Sequence, residues 1–205
     1  MRFNKKLFFS FEGPEASGKS SQIKLLSIYL KKNKIPHLIT REPGGTLNAE
    51  KLRKIILDKK ENISATEEIL LLMAARLNHI NKVIIPALHK GKIVITDRFA
   101  DSTFVYQGYV NNFGIKKAKS LHKNILNNFL PHKTFLFNLS SSKIIARLKN
   151  RKSKNKYDKL ERNFHDQVNR GYELISKNKR FITIDASKSI TSINKKIINT
   201  INLLI

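Results

Sequence analysis

The chain reads as a three-layer α/β domain, a parallel sheet covered on both faces by helices. Three observations predict it. Short apolar runs of strand length alternate with longer segments of helical spacing, the order expected of β-α-β crossovers. The 205 residues suffice for one such unit with a real core. A glycine-bearing loop joins the first strand to the first helix, at the sheet edge where such folds bind ligands.

Leu7–Phe11 is apolar and aromatic and reads as a buried strand. After the glycine loop, Lys19–Lys32 carries Ile23, Leu26 and Leu30 at helical spacing. Pro36 breaks the chain before a second strand at His37–Thr40, and Leu47–Leu57 is the next helix. A long helix is expected over Thr66–Lys90, with Pro86 kinking it or marking its last turns. Gly91 closes it and leads into a strand at Lys92–Thr96. Lys116–Asn128 is helical, Pro131 separates it from a strand at Thr134–Leu139, and Ser141–Lys149 and Lys159–Ser176 are helices. The series closes with a strand at Phe181–Ile184 and a helix at Ile190–Ile205. No repeat, linker or composition break divides the chain, so 1–205 is expected to be one domain.

Composition narrows the function classes. There are no cysteines, which excludes disulfides and thiolate metal sites. The apolar stretch near Met1 is too short for a signal peptide, and no apolar run approaches the 18 residues of a membrane span, so a cytoplasmic protein is expected. The formal net charge of +25 suggests nucleic acid or an anionic surface. Its lysines are spread along the whole chain among Asn and Ile, without a nucleic-acid-binding motif, so no dedicated nucleic-acid or membrane partner is expected. The charge should still help gather polyanionic nucleotides.

The most informative segment is Gly13-Pro14-Glu15-Ala16-Ser17-Gly18-Lys19-Ser20, which fits G-x-x-x-x-G-K-[ST] between a strand and a helix. Its glycines let several backbone N–H groups point inward, and the helix N-terminus adds partial positive charge. Lys19 can reach the β- and γ-phosphates of a nucleoside triphosphate, and the Ser20 hydroxyl can ligate Mg²⁺. Ile93-Val94-Ile95-Thr96-Asp97-Arg98 is an apolar strand ending in an acid. Asp97 is either a turn former or the acid that holds Mg²⁺ beside the loop. Arg98 projects over the same edge and suits a second phosphate. Thr40-Arg41-Glu42-Pro43-Gly44-Gly45-Thr46 is either an ordinary strand-to-helix loop or a surface that approaches a ligand closely. Arg76, in Ala74-Ala75-Arg76, suits a salt bridge at a packed helix surface when taken alone. Lys149–Lys156 is almost wholly basic and reads as a solvated loop or as a mobile lid over phosphates.

Together these segments resemble the bacterial thymidylate kinases of the nucleoside monophosphate kinase group, over nearly the full length. The resemblance rests on Phe11–Ser20, on Thr40–Thr46 with Ala49-Glu50-Lys51-Leu52-Arg53, on Ala74-Ala75-Arg76, and most specifically on Asp97-Arg98-Phe99-Ala100-Asp101-Ser102-Thr103-Phe104-Val105-Tyr106-Gln107-Gly108. It implies a P-loop fold with a five-stranded parallel sheet in the order 2-3-1-4-5. It implies phosphoryl transfer from ATP to dTMP with Mg²⁺, and a homodimer.

On this resemblance the loop Gly13, Pro14, Glu15, Ala16, Ser17, Gly18, Lys19 and Ser20 would bind ATP, with Ser20 and Asp97 on the metal. Glu15 would lie near the acceptor's sugar and phosphate. Arg76 and Arg98 would grip the dTMP phosphate, assisted by Arg53. Pro43 would pack near thymine, and Thr103, Tyr106 and Gln107 would contact base and deoxyribose. Ala186 would lie beside adenine. The P-loop has no Arg between Gly13 and Gly18, so the transfer-step charge would come from Arg151 of a basic lid at about 148–160, with Arg147 stacking on adenine. Asp158 and Glu161 match the acidic pair that follows the lid. Leu72 stands where the family usually has the Phe that stacks on thymine. Another P-loop nucleoside or nucleoside monophosphate kinase is the alternative enzyme. A P-loop switch with a protein partner and a basic nucleic-acid-binding protein are alternatives of other classes.

Overall fold

The computed structural model describes residue 4 and residues 7–58, 62–149 and 161–205. A five-stranded sheet runs in the order β2-β3-β1-β4-β5 with every described pairing parallel. Its strands are β1 (Phe8–Glu12), β2 (His37–Arg41), β3 (Ile93–Asp97), β4 (Lys133–Asn138) and β5 (Phe181–Asp185). The helices are α1 (Lys19–Lys32), α2 (Leu47–Leu57), α3 (Ala65–His79), α4 (Ile85–His89), α5 (Ala100–Val105), α6 (Ile115–Leu126), α7 (Ser141–Lys149), α8 (Arg162–Ile175) and α9 (Ile190–Asn202). Both the expected layers and the expected strand order are present.

Side-chain alternation along the strands divides the core. Phe9, Phe11, Ile93, Ile95, Phe135, Phe137 and Ile184 face one way and pack with Ile23, Leu26 and Leu30 of α1, Ile144 of α7 and Ile193, Ile197 and Ile201 of α9. The phenylalanines of β1 and β4 touch at ring-centroid distances of 5.0 Å (Phe11–Phe135) and 5.7 Å (Phe11–Phe137), within the range of favourable aromatic pairs. Phe8, Val94 and Leu136 face the other way, toward α3 to α6 and α8. Along β1, β3 and β4 that second face also carries polar residues. Ser10, Glu12, Thr96 and Thr134 are buried there, all with almost no exposed surface. Their partners, given below, are functional neighbours as well as structural ones.

The helices begin where the chain supplies caps. Thr46 accepts from the Ala49 N–H at the start of α2, and Ser64 with Glu67 forms a reciprocal capping box on α3. One expectation needs correction. The single helix over Thr66–Lys90 is interrupted by a π-helical turn at Ile80–Ile84, and Pro86 sits in the first turn of α4, where its missing N–H costs no hydrogen bond. The segment Ala100–Val110, for which the sequence reading offers no element, forms α5 and a second π-helical turn at Tyr106–Val110. The stretch Ala65–His89 is 25 residues long, and by length and composition alone it could cross a bilayer. It lies in the domain core, where Ile69, Met73, Ile80 and Ile84 pack on the sheet and buried Arg76 and His79 both bond to Glu42.

Candidate active site

Parallel register brings the carboxyl ends of β1, β2 and β3 level, since Phe11 and Arg41 both pair with Asp97. A cleft of about 640 Å³ opens over that edge. One wall is the glycine loop and the start of α1, from Glu15 to Ser21. The opposite wall holds Arg41, Glu42, Pro43, Arg53, Glu68, Leu72 and Arg76, and Asp97 to Phe99, Ser102, Thr103, Tyr106 and Gln107 complete it.

The loop adopts its shape for identifiable reasons. Gly13 has φ +135°, and a Cβ there would sit 2.5 Å from the Phe137 carbonyl oxygen, so a side chain would collide with β4. Ser17 Oγ donates to the Pro14 carbonyl at 2.8 Å. Lys19 is buried, and its Nζ donates to the carbonyls of Gly13 (3.0 Å) and Pro14 (2.7 Å). Burial first, and the nearby Arg98 charge second, pull its ammonium down to about 8, against the carboxylates of Asp97, Glu15 and Glu12. Phosphate groups in the loop would restore that charge. Ser20 Oγ donates to Asp97 Oδ2 at 2.7 Å.

Arg98 occupies a left-handed backbone conformation, φ +68°. Its Nη2 donates to Glu15 Oε1 at 2.7 Å, its Nη1 donates to Ser102 Oγ at 3.0 Å, and its guanidinium lies 5.1 Å from the Tyr106 ring centroid. Tyr106 donates its hydroxyl to the same Glu15 carboxylate. Burial alone would raise Glu15, but Arg98, Lys19 and the Tyr106 hydroxyl together hold it below the usual carboxylate range. Glu15 thus enters the cleft as an anion between two cations.

Arg76 is buried at 2% exposure. Its Nε donates to Glu42 Oε2 at 2.6 Å and its Nη2 to Thr103 Oγ1 at 2.8 Å. The same Glu42 accepts from His79 Nδ1 at 3.1 Å, and His79 Nε2 lies 2.7 Å from Thr40 Oγ1. Burial would raise Glu42, yet Arg76 and His79 keep it below the ordinary range. Glu42 precedes Pro43 through a cis peptide bond, and Arg53 Nη1 donates to the Pro43 carbonyl at 2.9 Å. The Arg-Glu-Pro-Gly-Gly segment is therefore a cleft wall anchored by buried charge.

Of the residues expected from sequence, the cleft gathers Glu15 to Ser20, Pro43, Arg53, Leu72, Arg76, Asp97, Arg98, Thr103, Tyr106 and Gln107. Arg147 lies outside it and ties two loops together, donating to the carbonyls of Ala16 (3.1 Å) and Ala186 (3.0 Å). Glu161 is exposed at the N-cap position before α8 and is not among the residues lining the cleft. Arg151 and Asp158 lie outside the described residues.

Sequence reasoning missed Glu12, Ser102 and Tyr172. Glu12 is fully buried and accepts from Phe99 N–H (2.6 Å), Ser102 Oγ (2.6 Å) and Tyr172 OH (3.0 Å). Burial, then the Asp101 charge, push it up to about 7 against Ser102, Arg98 and the Phe99 N–H. The signal for Glu12 was an acid closing an apolar strand, which demands buried partners. Tyr172 had no such signal, because it comes from a helix 160 residues away.

A phosphate-binding loop at the strand edge, facing a second wall that carries several arginines, defines a P-loop nucleotide kinase. A family model for thymidylate kinase matches residues 11–197. The thymidylate kinase of Thermoanaerobacter sp. (strain X514) is 39% identical over 199 residues, covering 95% of this chain and 96% of that protein. That of Mycoplasma capricolum subsp. capricolum is 42% identical over 200 residues, covering 95% and 94%. The crystal structure of the Ehrlichia chaffeensis thymidylate kinase superimposes with a TM-score of 0.74 at 30% identity, over 95% of this chain and 97% of that one. The chain belongs to the thymidylate kinase family.

Proposed function

We propose that this cleft transfers the γ-phosphoryl group of ATP to dTMP, giving dTDP and ADP, and that the residues divide the work as follows. A phosphate oxygen of dTMP attacks the γ-phosphorus, and the bond from that phosphorus to the β–γ bridging oxygen breaks with its electrons leaving on ADP. The nucleophile is already ionised, so positioning and charge neutralisation replace general-base chemistry. The backbone from Gly13 to Ser20 and the Lys19 ammonium hold the donor phosphates. Arg147 and Ala186 border the adenine side, where α7 meets the loop after β5.

Arg98 carries the acceptor phosphate, because its guanidinium stands beside both the loop and Glu15. Arg76 reaches the acceptor from the cleft's buried floor, with Arg53 and Pro43 on the same wall. Leu72, Thr103, Tyr106 and Gln107 surround base and deoxyribose. Ser20 and Asp97, two hard oxygen donors 2.7 Å apart, fit Mg²⁺, an ion that takes few protein ligands and completes its shell with phosphates and water. When bound there, Mg²⁺ would neutralise charge across the β- and γ-phosphates. Among the described residues no cluster of three or more His, Asp or Glu offers a rival metal site. Arg151 of the lid, with Asp158 and Glu161 after it, completes the set on the strength of the resemblance. The working form is a cytoplasmic homodimer of one-domain chains.

The observation that carries the reading is the pairing of two phosphate-seeking walls in one cleft. The test is ADP release from ATP with dTMP, dUMP, the ribonucleotide of thymine, and thymidine as separate acceptors. Highest kcat/KM with dTMP is expected. A preference for another acceptor, or hydrolysis unaffected by any of them, would overturn the assignment.

A further inference from the structure

We infer that Glu12 and Tyr172 are positioning residues for the acceptor nucleotide, acting through Arg98. The inference rests on the reading of Arg98 as the acceptor-phosphate arginine. Arg98 is held in a backbone region that non-glycine residues rarely adopt, φ +68°, so its surroundings must impose that shape. Its own N–H donates to the Phe11 carbonyl at 3.0 Å, and its carbonyl accepts from Thr96 Oγ1 at 2.7 Å. The next N–H, that of Phe99, donates to Glu12 Oε1 at 2.6 Å. Glu12 thus closes the turn from the inside.

The same carboxylate also sets the side chain. Ser102 Oγ and Tyr172 OH both donate to Glu12 Oε2, at 2.6 and 3.0 Å. The two hydroxyls also lie 3.0 Å from each other, and when Glu12 is ionised and takes their hydrogens, both leave lone pairs for Arg98. Arg98 Nη1 donates into those lone pairs, at 3.0 Å to Ser102 and 3.4 Å to Tyr172. Its Nη2 is then aimed at Glu15 and the cleft. A buried carboxylate orders two hydroxyls, and the hydroxyls order one face of a guanidinium. Tyr172 also brings α8 into the arrangement, the helix that follows residues 150–160. Neither Glu12 nor Tyr172 needs to touch either nucleotide.

The test compares Tyr172→Phe, which keeps the ring, with Glu12→Gln and with each change in an Arg98→Ala background. Initial rates are measured against dTMP and against ATP, with thermal melting as a fold check. Tyr172→Phe should raise the dTMP KM roughly three- to tenfold, the loss expected of one hydrogen bond, and change the ATP KM much less. Glu12→Gln should do the same more strongly. In the Arg98→Ala background Tyr172→Phe should add nothing, since the group it positions is gone. A lowered melting temperature with unchanged dTMP KM would overturn the proposal, as would equal losses for both nucleotides or additivity with Arg98→Ala. If Arg98→Ala itself spares dTMP, it is the underlying reading of Arg98 that fails, and the proposal with it.

Discussion

Lys19 has its three protons directed at the loop's own carbonyls and Ser17, so its charge is poised inside the cradle rather than in solvent. Lys19→Ala removes that charge without removing a core contact. It should lower kcat by about two to four orders of magnitude, since preorganised charge at the moving phosphoryl group is the main catalytic term. The melting temperature should stay near that of the parent. An active variant would remove the loop from the mechanism. Leu72, buried on the cleft wall, offers the base only an apolar contact. Leu72→Phe should tighten dTMP binding by about 1 kcal/mol, roughly fivefold, if an aromatic ring gains stacking on thymine. Calorimetric titration with dTMP reads this directly, and unchanged affinity would make Leu72 a packing residue only.

The wall Arg41–Thr46 shows how an element can be shaped by what lies behind it. Gly45 has φ +85°, and a Cβ there would stand 2.5 Å from His79 Nε2 and 2.8 Å from Thr40 Oγ1. The second glycine of the Pro-Gly-Gly run therefore serves the buried Glu42–His79–Thr40 chain, not only the turn. Gly45→Ala should cost roughly 1–3 kcal/mol from backbone strain and overpacking, seen as a lower urea midpoint. Because the same wall carries Pro43 and Arg53, the dTMP KM should rise more than the ATP KM. A fully stable variant would mean that the loop relaxes freely away from His79.

Across the whole molecule, buried charge concentrates on the α5 and α8 side of the sheet. Asp101 accepts from Arg180 Nη2 at 2.6 Å, and Thr134 links that pair to Ser10 on β1. Near this region His122 of α6 is fully buried, with Nε2 donating to the Phe129 carbonyl at 3.0 Å. Burial first, and the Arg76 charge second, push its imidazole down to about 4 from 6.5. Between those two values the unfolded chain binds a proton that the folded protein does not. The stability present above pH 6.5 should therefore be lost as pH falls toward 4, by up to about 3 kcal/mol in all. Melting curves from pH 7 to 4.5 should show a steeper decline for the parent than for His122→Gln. Parallel declines would place the acid sensitivity elsewhere.

Much of this was local enough to read from the chain. The glycine loop, its strand and its helix are contiguous, so pattern and spacing alone place Lys19 and Ser20. The strand-helix alternation calls for a parallel sheet because only crossovers can connect parallel neighbours. The segment Ala100–Val110 was not legible as helix, since its hydrogen bonds include π-helical ones and its burial comes from α8 and α6. The lid expectations at Arg151 and Asp158 rest on residues outside those described. Chain order supplies the inventory: which cations, acids and glycines exist, and which of them share a loop. Tertiary structure alone decided their partners. Glu12, Arg98, Ser102 and Tyr172 meet only when β1, β3, α5 and α8 are packed, and Glu42 selects Arg76 and His79 only across the gap between β2 and α3. Local spacing carries no information about such pairs, because burial makes a charge seek a partner without saying from which part of the chain it comes.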